Sequence, residues 1–253
     1  MKVAFVGPTV PDAVRLACDT LTIRPPARQG DVLRAVRDGA AAIGLIDGNF
    51  EYVAPIWHKE ILFALSEGVA VFGAASMGAL RAAECADFGM AGIGEIFRQY
   101  VSGEAEDDSD VALLHAPEEL GYAPLTIPLV NVRATLRRLL ELRSFSVEDA
   151  ACVEEAVSSL FYKERTWGAI AARARLMTSG DALMGKLRAG YVDQKRADGL
   201  ELLEALRSHP GERQHVKCQW TFHATSLWKR ALDPLPSSRN DLPEFTPDRR
   251  SSA

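Results

Sequence analysis

The chain alternates short apolar runs with longer segments in which apolar residues recur every three to four positions. VAFV, residues 3–6, is a β-rich run closed by Gly7-Pro8-Thr9, and the PDAVRLACD that follows has helical spacing through Val14, Leu16 and Ala17. TLTI alternates apolar and polar positions, and QGDVLRAVRDG predicts a helix with Asp31 near its start and Gly39 at its end. Two similar units follow. AAIGLIDG reads as a buried strand before the amphipathic WHKEILFALSEG, which ends at Gly68, and VAVFGA precedes the helical MGALRAAECADFG. GIGEIFRQYVSG predicts a further helix, EAEDDSD an acidic loop and VALLHA the last strand. Strand and helix in regular succession imply an α/β fold, a mostly parallel sheet with helices on both faces, whose sites lie beyond the carboxyl ends of the strands. Gly7, Asp47 and Ser76 all fall at such ends.

After the Pro-rich PEELGYAPLTIP the pattern becomes purely helical. Leu129, Val132, Leu136, Leu139 and Leu140 fit one helix face, and Cys152, Val153, Ala156, Val157, Leu160 and Phe161 fit another. TWGAIAARARLM, SGDALMGKLRAG and QKRADGLELLEALRSH continue this to about residue 209, with Gly190 and Gly199 as breaks. The organisation expected is therefore an α/β domain at 1–125, a helical region at 126–210 and an extension at 211–253, Pro- and Ser-rich and disordered from about residue 233. There is no internal repeat.

Composition narrows the class. A chain of 253 residues with 47% apolar content buries a real core, and a net charge of -5 gives no global attraction to nucleic acid. Cys18, Cys85, Cys152 and Cys218 are widely spaced without metal-ligand or CxxC patterning, which suits the reduced cytoplasm. MKVAFVGPTVP reads as a first strand, not a signal peptide, and no apolar stretch approaches the roughly 20 residues that cross a bilayer. The helical half has apolar content enough for a homo-oligomer face or for an internal core.

Candidate chemistry centres on AASMG, Ala74 to Gly78, where small residues two before and two after Ser76 meet the steric needs of a nucleophile elbow. Ser76 at a helix N-terminus is a nucleophile, a helix cap or an anion clamp, and the Met77 N–H serves either an oxyanion or a bound carboxylate. His58 in WHKE, and Asp47 and Glu51 in LIDGNFE, supply a base and orienting acids, though their order differs from that of α/β-hydrolases. Gly7, Thr9, Gln29, Lys59, Gly78 and Arg81 are candidates for substrate contact beside them. Asp107, Asp108, Asp110 and His115 offer ligands for a divalent cation but lack EF-hand spacing, and a solvated loop is the simpler reading, so no metal is assigned. FYKERTW, residues 161–167, reads equally as a packing face and as a lip over the site. The turn after the first strand is GPT, not a dinucleotide fingerprint, so the fold is Rossmann-like without that cofactor, and Gly185-Lys186 lacks the lead-in of a phosphate loop.

Several blocks together resemble the TfuA family: GPT, PPARQGDVLRAV, IGLIDGNFE, WHKEILFAL, GAASMGALRAAE, FGMAGIGEIF and DDSDVALLHA, covering most of residues 3–140. FYKERTW and VDQKRADG also look similar to family segments. The resemblance implies a cytoplasmic partner of YcaO enzymes, which use ATP to exchange a backbone amide oxygen for sulfur in ribosomally made peptides and in a protein. It further implies sulfide drawn from a ThiS-like carrier with a C-terminal thiocarboxylate, contact with a precursor peptide, and no cofactor of its own. On that reading Ser76 attacks the thiocarboxylate with Met77 as oxyanion donor and His58 as base, or Ser76 holds it for water activated by His58 or Glu51. A non-catalytic adaptor that binds YcaO or the precursor peptide, and an α/β domain that binds an anion at Ser76, are the alternatives.

Overall fold

The structure is a computed structural model that describes residues 1–49, 51–174, 179–214 and 219–232. The chain divides into two compact units, Met1–Thr221 and Phe222–Ala253. In the first, β1 (Lys2–Phe5), β2 (Thr22–Arg24), β3 (Ala42–Leu45), β4 (Ala70–Ala74) and β5 (Ala91–Ile93) form one all-parallel sheet in the order β2-β1-β3-β4-β5. Helices α1 (Ala13–Ala17), α2 (Asp31–Arg37), α3 (His58–Ser66), α4 (Met77–Cys85) and α5 (Gly94–Ser102) connect the strands and follow the last of them. Then come α6 (Leu129–Glu141), α7 (Val147–Ser158), α8 (Trp167–Arg173), α9 (Gly180–Ala189) and α10 (Gln194–Ser208).

Alternation along the strands separates two cores. Val3, Phe5, Ile43, Leu45 and Val71 point to one face and pack with Val32, Val36, Ile61, Ala64 and Ala82 of α2, α3 and α4. Ala4, Ala42, Ala70, Phe72 and Ala74 point to the other and meet Ala13 and Ala17 of α1 and Leu202, Leu203 and Leu206 of α10. Gly44 lies under Leu202 and Leu206, where any side chain would collide with them. The last helix of the helical half thus covers the sheet, while α6 to α9 enclose a separate core around Leu136, Val153, Ile170 and Leu187. Gly199, read as a break, lies inside α10, because the helix approaches Thr9, Val10 and Ile46 too closely there for a larger residue.

The expected strand VALLHA is not one. The fifth strand is Ala91–Ile93, a three-residue run with one large apolar side chain, too short and too Gly-rich for periodicity to reveal. The apolar residues of VALLHA meet another need: Val111 is buried with Ala79, Ile96 and Val130 beyond the sheet. In the second unit, α11 (Ser226–Ala231) is capped by the Thr225 hydroxyl, which accepts the Trp228 N–H. The disorder expected from about residue 233, and Cys218, lie outside the described residues; Cys85 is buried and Cys152 exposed, both as free thiols. Among the described residues no helix is long and apolar enough to cross a membrane.

Two buried carboxyl groups do the capping that local sequence omits. Asp198 of α10 accepts the Ile96 N–H at the start of α5, and Glu60 of α3 accepts the Gly30 and Leu33 N–H groups at the start of α2. Burial pushes the Glu60 carboxyl from 4.5 up to about 7 against those hydrogen bonds. An acid raised in the fold contributes most below its unfolded value and loses that contribution as pH rises through the folded one. Stability measured by urea unfolding is therefore expected to fall by about 3 kcal/mol between pH 4.5 and pH 8 from this group, and Glu60→Gln to flatten that slope.

Candidate functional site

The strand order reverses between β1 and β3, and the loops that leave these two strands are tied together by Asp47. Its Oδ2 accepts the N–H groups of Gly7 at 2.8 Å and Thr9 at 3.0 Å, and its Oδ1 accepts the Thr9 hydroxyl at 2.6 Å. Asp47, Gly7 and Thr9 thus form one buried knot that holds the switch point and commits these groups to each other. Tyr122 and Pro26 pack over Gly7, where no side chain would fit.

One strand further on, β4 runs into the serine turn. The Ser76 N–H bonds back to the Ala74 carbonyl at 2.8 Å, two residues behind, and Ala75 between them has φ 67°. This is a γ-turn of the rare positive-φ kind, and a non-glycine residue there stores backbone strain. The strain sits one residue before the serine, and the turn directs Ser76 to the N-cap position of α4. A serine at an N-cap ordinarily accepts a backbone N–H of its own helix. Here it makes no such bond, and no other hydrogen bond to its hydroxyl exists among the described residues. Ser76 is 8% exposed, yet no buried side-chain oxygen among the described residues lacks a partner, so this hydroxyl reaches solvent. The Met77 N–H has no intramolecular acceptor among the described residues either. By contrast, the Gly78 N–H is already bonded to the Ile46 carbonyl, and Gly78 packs directly on the Leu45 carbonyl. Of these two amides, that of Met77 is the one available to a ligand.

The remaining candidates stand in separate groups. His58 Nε2 lies 2.7 Å from Glu84 Oε2, and the Arg81 guanidinium binds the same carboxylate oxygen and the Ile56 carbonyl. Glu84 is eight positions beyond Ser76 on α4, about 12 Å along the helix axis, and through its carboxylate His58 is held against α4. Glu51 is paired with Lys163 at 2.9 Å, and this ammonium, which also lies 5.4 Å from the Tyr52 ring centre, holds the Glu51 carboxyl below its ordinary range. That makes Glu51 a weak base. Gln29 is exposed and donates its N–H to the Ala54 carbonyl, while Lys59 is half-buried in the first turn of α3. In the acidic loop Asp107 caps a turn through Ser109, and Asp110 is buried against Arg133.

Lys195 is a residue whose role periodicity did not signal. It is 2% exposed, donates from Nζ to the Val111 carbonyl at 2.8 Å, and its ammonium is disfavoured by burial, with Asp47 and Asp193 opposing that effect. Its signal was the charged VDQKRADG block inside an otherwise amphipathic helix.

Comparison with known proteins gives one finding for this geometry. Residues 47–166 match a family model described as TfuA-like protein, a span that includes the Asp47 loop, the serine turn and the acidic loop. No curated protein matches the chain.

Proposed function

On the premise that this chain is a TfuA-like protein over residues 47–166, we propose that it hydrolyses the C-terminal thiocarboxylate of a ThiS-like carrier and delivers the sulfide to a YcaO enzyme for thioamidation of a ribosomally made peptide or protein. The observation that carries this reading is the pair of groups at the serine turn that have no hydrogen-bond partner among the described residues: a solvent-reaching Ser76 hydroxyl and the Met77 N–H at the start of α4. Cleavage of an acyl C–S bond needs a nucleophile and a donor for the tetrahedral oxyanion, and these two supply both. A strained γ-turn keeps them pre-oriented at little further entropic cost. The helix N-terminus also favours the anionic thiocarboxylate itself. Sulfide released in free solution dilutes, so delivery to YcaO is served by docking of the two proteins, which raises its effective concentration at the acceptor.

The test uses the purified chain and a thiocarboxylated ThiS-like carrier, without YcaO or ATP, with sulfide and carrier mass followed in time. Release above that of the carrier alone, matched by conversion of thiocarboxylate to carboxylate, is expected. A carrier that keeps its sulfur in the presence of the protein would leave an adaptor of YcaO in place of a hydrolase.

A further inference from the structure

The hydrolysis proposed at Ser76 still needs a base; His58 Nε2 is bound to Glu84, and Glu51 is paired with Lys163. Residues 114–126 form a hairpin in place of the expected strand. The Ala116 N–H donates to the Ala123 carbonyl, the Leu125 N–H to the Leu114 carbonyl, and His115 lies opposite Pro124. Just before the hairpin, Val111 is buried in one cluster with Ala79, in the first turn after Ser76, and its carbonyl accepts the Lys195 ammonium. Within the hairpin, Tyr122 rests on Gly7 at the end of β1. Along the sheet, β3 and β4, whose carboxyl ends lead to Asp47 and Ser76, follow β1 in order.

His115 stands on this hairpin, its ring 5.6 Å from that of Tyr122. Its Nδ1 is 2.8 Å from the Ala116 carbonyl. A carbonyl only accepts, so Nδ1 carries the proton, and the neutral ring presents its lone pair on Nε2. That nitrogen has no hydrogen-bond partner among the described residues. We propose that His115 is the general base for the chemistry at Ser76, an inference that rests on the reading of the site given above. As the Ser76 oxygen bonds to the thiocarboxylate carbon, His115 Nε2 takes the hydroxyl proton. The C–S bond then breaks with its electron pair on sulfur, which takes that proton and leaves as hydrosulfide. In the second half, water attacks the seryl ester, its proton passes to Nε2 and on to the departing Ser76 oxygen, and the carrier leaves as a carboxylic acid.

The experiment compares the wild-type chain, Ser76→Ala and His115→Ala in sulfide release from the thiocarboxylated carrier, with and without added imidazole, and records melting curves and carrier binding for each. His115→Ala is expected to lose about 10²-fold or more in rate with melting and carrier binding unchanged, and imidazole to restore part of it. His115→Ala within about threefold of wild type, while Ser76→Ala is inactive, would overturn this inference and leave the reading of Ser76 intact. A loss that imidazole does not relieve would assign His115 to holding the hairpin and likewise overturn the base role. No release by the wild type would remove the reading of the site, and this inference with it.

Discussion

Ser76→Ala is expected to reduce sulfide release from a thiocarboxylated carrier by about 10³-fold or more while leaving the melting temperature within about 2 °C of wild type. Both halves follow from the same observation. The Ser76 hydroxyl bonds neither its own helix nor any neighbour among the described residues, so its removal leaves no donor or acceptor unsatisfied and uncovers no core. Were the serine a cap, alanine would cost about 1 kcal/mol of stability and leave the chemistry alone. The two readings thus predict opposite pairings of activity and stability. Ser76→Cys retains a nucleophile of similar size and is expected to keep measurable release. A folded Ser76→Ala that releases sulfide at the wild-type rate would assign the chemistry to another group.

Gly78→Ala is expected to prevent folding or to lower stability by more than about 3 kcal/mol, a fall in melting temperature of about 10 °C or more in a chain of this size. A methyl group at Gly78 would drive into the Leu45 carbonyl and carbon at the end of β3. The obstacle is backbone, and neither partner can yield: β3 is the central strand of the sheet, and the Gly78 N–H is bonded to the adjacent Ile46 carbonyl. Gly73 faces the same seam from β4, where a side chain would meet the Gly78 carbonyl and Ala82. This close approach of α4 to β3 and β4 brings the start of the helix to the strand ends, so glycine at 78 sets the position of Ser76. A soluble Gly78→Ala with wild-type melting and release would show that the seam can open without loss.

How far the site can be read without coordinates differs from residue to residue. The small residues around Ser76 signalled a tight strand-to-helix step because steric demands at such a step are local and appear in neighbouring positions. Asp47 was legible as a strand-end carboxylate, but its engagement by Gly7 and Thr9 was not, because nothing in either loop specifies which distant acid its N–H groups will meet. His58 has the same character. Beside Lys59 and Glu60 it looked like a base in search of a serine, and only the packing of α3 on α4 turns it to Glu84. In the sequence His115 is a neighbour of aspartates, whereas the fold places it in a hairpin opposite Pro124 with Nδ1 already bonded.

The sequence by itself determined the alternation of strand and helix, the two-faced parallel sheet and the helical second half, since apolar periodicity records which side of each segment must leave water. It also determined the sharp turn at Ser76. The tertiary structure alone decided that a three-residue run becomes β5, that VALLHA leads into a hairpin, that α10 returns to cover the sheet, and that Asp198 and Glu60 cap helices far from them along the chain. The physical reason is common to all four. Each depends on contacts between segments distant in sequence, whose free energy is gained only after the chain has closed the loops between them, and local patterns of burial carry no record of that pairing.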